Sequence, residues 1–311
     1  MNPLHPDISR REWLKGAAAL SIAAPATLRA NERAPNLHFP IRPRDRLAVT
    51  SWPFRAYIES PTNRGRDQSK PGMDLKEFAA MIAKRFGVHN INPLSDHFSS
   101  TTPDYIAELR AAVGKAGSHV VDLGLGGKSF ADPDAAKRKA AIEYGQKWID
   151  IAVALGSPSV RQHLRPPAVV DIAAESLGKL AEYGSKQNII VNLENDSAIS
   201  EDPYFILHVL EKVNSPYLRA LPDFGNSIQG HDEEYNEKAV NALFKYAYGM
   251  SHVKDKVQSK GTSYKINVAK MFDIAKANSY RGYFSMEVDT ASEDPFEGTQ
   301  ALVALSLKCL A

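Results

Sequence analysis

The chain has 311 residues, of which 43% are hydrophobic and 24% are charged, a composition typical of a soluble globular protein that can bury a sizeable core. Its 38 basic and 36 acidic residues almost cancel, so no overall field attracts nucleic acid, and we expect no nucleic-acid partner. The single cysteine, Cys309, excludes an intrachain disulfide, and we expect it to be a packed core thiol.

The N-terminal stretch SRREWLKGAAALSIAAPATLRA has the features of an export signal. Paired arginines, Arg10 and Arg11, precede a modest apolar run, and Trp13 stands where the usual twin-arginine motif has Phe. The apolar run over residues 17–26 is too short to anchor the chain stably across a bilayer, and a polar, Pro-containing segment follows it. The pattern favours a twin-arginine signal, with an N-terminal amphipathic helix as the alternative.

The predicted signal covers residues 1–30, with cleavage after Ala26 or Ala30. This segment carries four basic and two acidic residues, so its removal from 38 and 36 leaves 34 of each sign. We therefore expect a neutral mature protein, periplasmic or otherwise exported, with no permanent membrane anchor.

Beyond a Pro- and Arg-rich linker over residues 31–44, short β-rich runs alternate with longer helical patterns. In the first helical pattern, Leu75, Phe78 and Ile82 fall on one face. Eight strands alternating with eight helices predict an α/β fold, a single (β/α)8 TIM barrel over residues 45–311. The predicted strands are residues 46–51, 88–93, 119–125, 159–164, 189–194, 218–223, 249–255 and 282–288.

The alternative architecture is a doubly wound open sheet. The sequence offers no Gly-rich strand-to-helix turn of the dinucleotide-binding type. The stretch GLGGKSF at residues 124–130 superficially resembles a phosphate loop, but it lacks the GxxxxGK[ST] spacing. We interpret it as a loop between a strand and a helix.

Four consecutive predicted strands end in residues that can bind a metal: Glu194, Asp223, His252 and Glu287. They are separated by 29, 29 and 35 residues, about one βα unit each, and the carboxyl ends of barrel strands converge over one mouth. A lone carboxylate at a strand end is usually a helix cap or a loop hydrogen bonder. Three carboxylates in one mouth would repel one another unless a cation neutralised them, so the set predicts a divalent metal ion.

The segments around these positions, VNLEN, LPDFGN, SHVKD and GYFSMEVD, resemble the Glu, Asp, His, Glu metal set of the xylose isomerase-like TIM barrels. FGV with DHF after it, LGSPSVR and the terminal EGTQALVALSLKCL also match that family, and the resemblance covers roughly residues 45–310. The family includes sugar isomerases, sugar epimerases, inosose dehydratases and endonuclease IV. The ligand set suits one ion of Mn²⁺, Mg²⁺, Co²⁺ or Zn²⁺ and does not choose among them.

The chemistry that the resemblance implies is the movement of a proton next to a carbonyl of an open-chain sugar, through an enediolate. Glu194 and Glu287 would serve both as metal ligands and as acid/base groups. Lys254 lies on the same side of its strand as His252 and would stabilise an oxyanion. We predict a sugar isomerase or epimerase. The alternatives are a lyase acting on a keto-inositol or a 3-keto-glycoside, and a non-catalytic sugar-binding barrel.

Five further residues are candidates for substrate binding. Trp52, after the first strand, is a candidate to stack on a sugar face, with ordinary packing as the alternative. His97 is a candidate for a hydroxyl contact or proton transfer, with loop capping as the alternative. Arg161 and His163 alternate on the fourth predicted strand, so they point the same way, into the mouth or into barrel packing. Asn226 is expected to contact substrate or to orient a ligand.

Two departures from the family pattern narrow the prediction. The second predicted strand has Asn90 and Asn92 where many relatives carry Glu, which puts a second metal there in doubt. The additional ligands of an endonuclease IV-type centre are missing from the strand ends, so DNA repair is not predicted. The expected partner is a small sugar or keto-sugar, and the sequence leaves substrate, stereochemistry and homo-oligomerisation open.

Overall fold

The structure is a computed structural model that describes residues 34–196, 202–289 and 294–311. The predicted export signal, residues 1–30 with both cleavage sites, lies outside the described residues. Within those ranges, no helix has the length and apolar content that crossing a membrane requires.

Strands and helices alternate along the described chain, as predicted. The strands are β1 (Leu47–Thr50), β2 (Asn90–Asn92), β3 (His119–Val120), β4 (Leu123–Gly124), β5 (Ser159–Gln162), β6 (Ile190–Glu194), β7 (Leu218–Leu221), β8 (Met250–Val253), β9 (Lys256–Ser259), β10 (Thr262–Lys265) and β11 (Tyr283–Met286). The helices are α1 (Leu75–Phe86), α2 (Pro103–Lys115), α3 (Ala135–Leu155), α4 (Val170–Gln187), α5 (Pro203–Val213), α6 (Glu233–Phe244), α7 (Val268–Ala277) and α8 (Pro295–Leu310).

The parallel strands close into a barrel. Hydrogen-bonded ladders join them in the orders β3-β2-β1-β11-β8 and β4-β5-β6-β7. A parallel bridge between Asp223 and His252 links the end of β7 to β8, and another between Leu94 and Gly124 links the end of β2 to β4. Because β3 and β4 are successive parts of one barrel strand, each of eight strands has two neighbours. The predicted (β/α)8 barrel is confirmed, and the open doubly wound sheet is excluded.

The first helix begins, ends and buries its apolar face where its sequence predicts. Asp74 and Glu77 form a capping box at the start of α1, and the helix ends at Gly87, whose φ of 63° lies in the left-handed region. The predicted apolar face of α1 is buried against the barrel, where Phe78 packs edge-on against Phe54 with ring centroids 5.6 Å apart. The short turn after β1 thereby joins the sheet to its first covering helix.

The third predicted strand, residues 119–125, is interrupted in the structure between β3 and β4. Asp122 lies in the gap and is fully buried. Its carboxylate accepts hydrogen bonds from Ser159 Oγ at 2.5 Å and from Asn192 Nδ2 at 3.0 Å. The prediction of one continuous strand was wrong because this segment carries a polar network in the barrel interior as well as ladder hydrogen bonds.

A β-hairpin follows β8, directly beyond the predicted strand over residues 249–255. β9 and β10 pair antiparallel around a two-residue turn at Lys260 and Gly261, whose φ values are 49° and 81°. Positive φ at both central residues matches the right-handed twist of the flanking strands. Val257 packs so closely over Gly225 that a Cβ there would lie 2.6 Å from Val257 Cγ2, which holds the hairpin against the barrel mouth.

The described part of the predicted linker lies on the amino-terminal end of the barrel. The Phe39 ring packs edge-on against Tyr248 and Tyr283, with centroids 5.4 and 5.7 Å away. Tyr248 Oη also donates to the backbone carbonyl of Pro35 at 3.2 Å. Both tyrosines stand at or just before the first residues of barrel strands, so this segment packs at the end opposite the predicted metal site.

Candidate metal centre

The four predicted metal ligands meet at the carboxyl ends of four neighbouring strands. Glu194 is the last residue of β6, Asp223 follows β7, His252 lies within β8, and Glu287 directly follows β11. One ligand atom from each of the four lies within 4.8 Å of the others, and none of the four side chains is more than 9% exposed. The barrel thus turns four strand ends, distant in sequence, into one buried cluster.

The imidazole of His252 stands between two carboxylates. Its Nδ1 lies 2.6 Å from Glu194 Oε1 and 2.8 Å from Glu287 Oε2. Burial lowers the pKa of His252, but the two carboxylates outweigh that effect and raise it to about 10. Burial likewise opposes ionisation of Glu287, yet Lys254 and His252 hold the pKa of that carboxyl well below its usual range.

The Nε2 atom of His252 has a different partner, 2.9 Å away: the side-chain oxygen of Asn92. That amide directs its Nδ2 toward Asp122, 3.1 Å from Oδ2, so its oxygen is the atom that faces the imidazole. An amide oxygen can only accept, and Nε2 must therefore carry a hydrogen. In the neutral imidazole, this leaves the lone pair on Nδ1, the nitrogen that points into the carboxylate cluster.

The two carboxylate oxygens of Asp223 differ in their hydrogen bonding. Oδ1 accepts from the backbone N–H groups of Gly225 and Asn226, at 2.9 and 2.8 Å. Oδ2 is buried and accepts no hydrogen bond from the described residues, while Lys254 Nζ lies 3.4 Å away. Burial raises the pKa of Asp223 to about 6, although Lys254 opposes the rise. A buried carboxylate oxygen without a donor is what a bound cation would satisfy.

Lys254 lies beside two of the candidate ligands, Asp223 and Glu287, and also lines the cavity. Its Nζ donates to Asn226 Oδ1 at 2.9 Å and lies 3.1 Å from Glu287 Oε1. Burial disfavours the charged ammonium, but Asp223 and Glu287 raise the pKa of Lys254 above its usual value. The residue therefore places a permanent positive charge at the edge of the cluster.

Arg161 and His163 both reach the oxygen of Glu194 that faces away from His252. Arg161 Nη1 contacts Glu194 Oε2, and His163 Nε2 lies 2.6 Å from the same oxygen. His163 Nδ1 is 3.3 Å from Asp196 Oδ2. Burial raises and Arg161 lowers the pKa of Glu194, and the net effect with His252 is a pKa well below the usual range.

Glu287 lines a cavity of about 420 Å³ at the barrel mouth, whereas Glu194, Asp223 and His252 are buried and are not among its lining residues. Six of the residues predicted from sequence to act in catalysis or substrate binding line it: Trp52, Arg161, His163, Asn226, Lys254 and Glu287. Trp52 is 43% exposed and carries the Arg55 guanidinium over its ring, 4.1 Å from the centroid. A cavity of this size with a mostly polar lining suits a molecule the size of a monosaccharide.

His97 lies beneath this surface instead. It is 2% exposed, its Nδ1 is 2.7 Å from Ser51 Oγ, and the described cavity lining does not include it. Burial, with a smaller contribution from Arg55, lowers the pKa of His97 to about 3, so the ring is neutral. The structure therefore places His97 behind the wall, where it holds the turn after β1.

The cavity also contains residues that the sequence analysis did not single out: Arg55, Asp196, Gln258 and Asp289. Asp196 and Asp289 each stand two residues beyond a predicted ligand, Glu194 and Glu287. The alternation of side chains along an extended chain is the signal that would have found both. Arg55 and Gln258 lie in a turn and a hairpin whose positions depend on tertiary packing.

The donor set fits a divalent cation. Three carboxylates and one imidazole nitrogen converge, one carboxylate oxygen lacks a donor, and the imidazole nitrogen that faces the cluster can carry a lone pair. Hard oxygens with one nitrogen suit Mg²⁺, Mn²⁺, Co²⁺ or Zn²⁺. We therefore assign Glu194, Asp223, His252 and Glu287 as the residues that would hold the ion.

Comparisons with known proteins agree with this fold. The family model described as "Xylose isomerase-like TIM barrel" matches residues 80–309. No curated protein matches the sequence significantly. A xylose isomerase-like TIM barrel protein from Mycobacterium smegmatis, solved in complex with magnesium, is 16% identical, with a TM-score of 0.66 over 85% of this chain and 97% of that one.

Two solved sugar epimerases are also similar in structure. D-psicose 3-epimerase from Clostridium cellulolyticum H10, solved with D-tagatose, is 15% identical, with a TM-score of 0.66 over 85% of this chain and 99% of that one. The 3-keto-D-glucoside 4-epimerase from E. coli is 14% identical, with a TM-score of 0.63 over the same two shares. At sequence identities of 14 to 16%, the similarity to these structures establishes the fold alone. Together with the family match over most of the sequence, it shows that this chain belongs to the xylose isomerase-like TIM barrel family.

Proposed function

We propose that this protein is a divalent-metal-dependent isomerase or epimerase of a small sugar or keto-sugar. The observation that carries the proposal is the convergence of Glu194 and Glu287 on one imidazole nitrogen beside a polar cavity, 2.6 and 2.8 Å from His252 Nδ1. Two carboxylates beside one metal position can remove and return a proton on a substrate carbon. The sugar epimerases with the same fold support this reaction class.

Each residue of the site has a distinct role in the proposed reaction. Glu194, Asp223, His252 and Glu287 would hold the metal, which would supply Lewis acidity at the substrate carbonyl and so make the neighbouring carbon more acidic. Glu287 lines the cavity as an ionised carboxylate and takes the proton from that carbon. We assign the second acid/base role to Glu194, which is buried next to Glu287 and whose Oε2 contacts both Arg161 and His163. Lys254, held by Asn226 at 2.9 Å, places its ammonium where negative charge develops on the substrate oxygen.

The test is solvent exchange at carbon. Metal-loaded protein is incubated with a panel of ketoses, aldoses and keto-glycosides in D₂O, and products are followed by NMR and mass spectrometry. An isomerase or epimerase incorporates deuterium and conserves the carbon skeleton and composition. We expect Glu287→Gln to lower turnover by roughly 10²–10⁴-fold. Glu108→Gln, which removes an exposed carboxylate paired with Lys76, serves as the matched control and should leave turnover unchanged.

Other outcomes identify the alternatives. A product lighter by one water, or cleavage of a glycosidic bond, would assign a lyase acting on a keto-inositol or a 3-keto-glycoside. Ligand affinity without exchange or product would indicate a sugar-binding barrel. Full turnover in Glu287→Gln would remove the acid/base assignment from that residue.

We further propose that the chain is exported through the twin-arginine route, on the basis of Arg10, Arg11 and the short apolar run that follows. Replacing both arginines by lysine should retain the protein in the cytoplasm when cells are fractionated. Unchanged export of that variant, or its export through the general secretory route, would contradict the proposal.

A further inference from the structure

We propose that the guanidinium of Arg161 takes the place of a second metal ion at Glu194 and thereby keeps the centre mononuclear. The inference rests on the proposed metal-dependent function and assigns a positioning role to a residue of this chain. It follows from three observations: the two oxygens of Glu194 face two different ligand groups, the Arg161 guanidinium lies within the second group, and the charges of the site match a single divalent ion.

Glu194 has the geometry of a bridging carboxylate. Its Oε1 faces His252 and the four-ligand cluster, while its Oε2 faces the opposite way, toward His163. His163, Glu194 and Asp196 form a second group whose potential ligand atoms lie within 4.8 Å of one another. A shared carboxylate between two ligand groups is how paired metal sites are commonly built. The chain thus carries the donors for a second ion beside the first.

The guanidinium of Arg161 lies within this second group. Its Nη1 contacts Glu194 Oε2 and His163 Nε2, so the guanidinium touches two of the three residues of this group. Arg161 is 2% exposed and lies on β5, paired with Gly124 of β4 on one side and with Asn192 of β6 on the other. A guanidinium that is seated on both donors excludes a cation from them by charge and by volume.

The neighbouring backbone provides the space for this side chain. A Cβ at Gly124 would overlap Arg161 Nη2 and Leu94 Cδ2, so glycine at this position leaves room for the guanidinium. The guanidinium therefore packs against the backbone of a barrel strand, β4, and is buried there.

The charges of the site support a single ion. Glu194, Asp196, Asp223 and Glu287 contribute four negative charges when ionised, and Lys254 and Arg161 contribute two positive ones. One divalent ion beside Arg161 leaves these groups neutral. A second divalent ion in place of Arg161 would leave a positive excess of one, and a second ion added with Arg161 still present an excess of two. Buried groups in a low-dielectric site favour the neutral set.

The test counts ions. Chelator-stripped protein is titrated with Mn²⁺ by calorimetry, and the bound metal is measured by elemental analysis after gel filtration. We expect one ion per wild-type chain and two per Arg161→Met chain, the second lost again in Arg161→Met combined with Asp196→Asn. Arg219→Met, which removes another largely buried guanidinium from a barrel strand, should keep one ion. Circular dichroism checks that each variant is folded.

Further variants keep the test decisive. Should Arg161→Met fail to fold, Arg161→Gln, which keeps hydrogen-bonding groups without the charge, carries the same expectation of two ions. Arg161→Lys retains the charge and should bind one. In the wild-type background, Asp196→Asn should leave the count at one, because Asp196 belongs only to the group that Arg161 occupies.

Several results would overturn the inference: two ions in the wild-type protein, one ion in a folded Arg161→Met or Arg161→Gln variant, or loss of the single ion in Asp196→Asn. The ion count is independent of turnover. An inactive protein with the expected counts would overturn the proposed function and leave this inference standing. An active wild-type enzyme with two ions would overturn this inference alone.

Discussion

At the scale of single residues, each of the four candidate metal ligands has a second polar contact. Asn92 accepts from His252 Nε2, and backbone amides donate to Asp223 Oδ1. Arg161 contacts Glu194 Oε2, and Lys254 Nζ lies 3.1 Å from Glu287 Oε1. Such contacts orient ligands and tune their basicity, and their loss typically lowers metal affinity by 10- to 100-fold. The amide at position 92, which departs from the family pattern in sequence, thereby gains a defined role.

Replacing Asn92 by Leu tests that role. The substitution removes the acceptor of the His252 Nε2 hydrogen, so we expect Mn²⁺ affinity to fall by roughly 10- to 100-fold in calorimetric titration. Asn90→Leu is the matched control on the same strand. Among the described residues, its Nδ2 donates to the backbone carbonyls of Asp45 and Leu47, so its loss should lower stability and leave affinity unchanged. Equal loss of affinity in both variants would contradict the orienting role.

Metal binding should also release a proton from His252. The pKa of His252 is raised to about 10 by Glu194 and Glu287, so the imidazole of stripped protein is protonated near neutral pH. A metal must displace that proton from Nδ1, and affinity should rise about tenfold per pH unit between pH ~7 and ~9. Below pH ~6, where Asp223 also gains a proton, the dependence should steepen.

Calorimetry in buffers of different ionisation enthalpy measures the number of protons released. One proton per ion near pH 8 is the expected result. A value near zero, or affinity that does not change with pH, would show that the imidazole is neutral before the metal binds.

At the scale of elements, the β9–β10 hairpin shapes one wall of the cavity. Val257 and Gln258 line the cavity, and the Gln258 backbone N–H donates to Asp289 Oδ2 at 2.6 Å. Asp289 lies three residues beyond β11, so this bond ties the hairpin to the strand that carries Glu287. The segment after β11 therefore contacts the hairpin through Asp289 and contributes Glu287 to the candidate metal site.

Asp289→Ala should loosen the hairpin without disturbing the metal. Loss of a partly exposed, charge-assisted hydrogen bond is expected to lower the free energy of local opening by about 1 kcal/mol. Hydrogen exchange at residues 256–265 should then accelerate roughly fivefold, with the metal content unchanged. Glu234→Ala, which removes an exposed ion pair with Lys238 on α6, is the control. Unchanged exchange in Asp289→Ala would place the support of the hairpin elsewhere.

At the scale of the whole molecule, the two ends of the barrel differ in their contents. The carboxyl ends carry the candidate metal ligands and the cavity, whereas the amino ends carry the segment around Phe39 packed on Tyr248 and Tyr283. A metal held by residues of β6, β7, β8 and β11 would join four neighbouring strands, half of the barrel. Because the ligands do not meet in the unfolded chain, binding free energy adds to folding free energy.

Mn²⁺ at about 100 times its Kd should therefore raise the free energy of unfolding by about 2.7 kcal/mol. For a barrel of this size the corresponding rise in Tm is roughly 5 °C. Differential scanning calorimetry of stripped and loaded protein measures the shift. His252→Ala should lose it, and an equal shift in that variant would mean that the ion binds outside the four-ligand cluster.

Much of this organisation follows from the sequence alone. The alternation of short apolar runs with 3.6-residue patterns determines the (β/α)8 class, because strand and helix periods differ and the number of repeats matches a closed barrel. The clustering of the four candidate ligands can be predicted because barrel topology brings the carboxyl ends of successive strands together. Side chains at i and i+2 share a face, so the placement of Lys254 beside His252 needs no further information.

The tertiary structure alone decided what each group contacts. Only the fold shows that His97 lies behind the cavity wall, that Asn92 orients His252, and that Arg161 covers the outer oxygen of Glu194. Such contacts join residues far apart in the sequence, at distances set by strand register and helix packing. Local pattern determines which residues stand at strand ends, but the contacts of those residues depend on close packing, which the whole barrel determines at once.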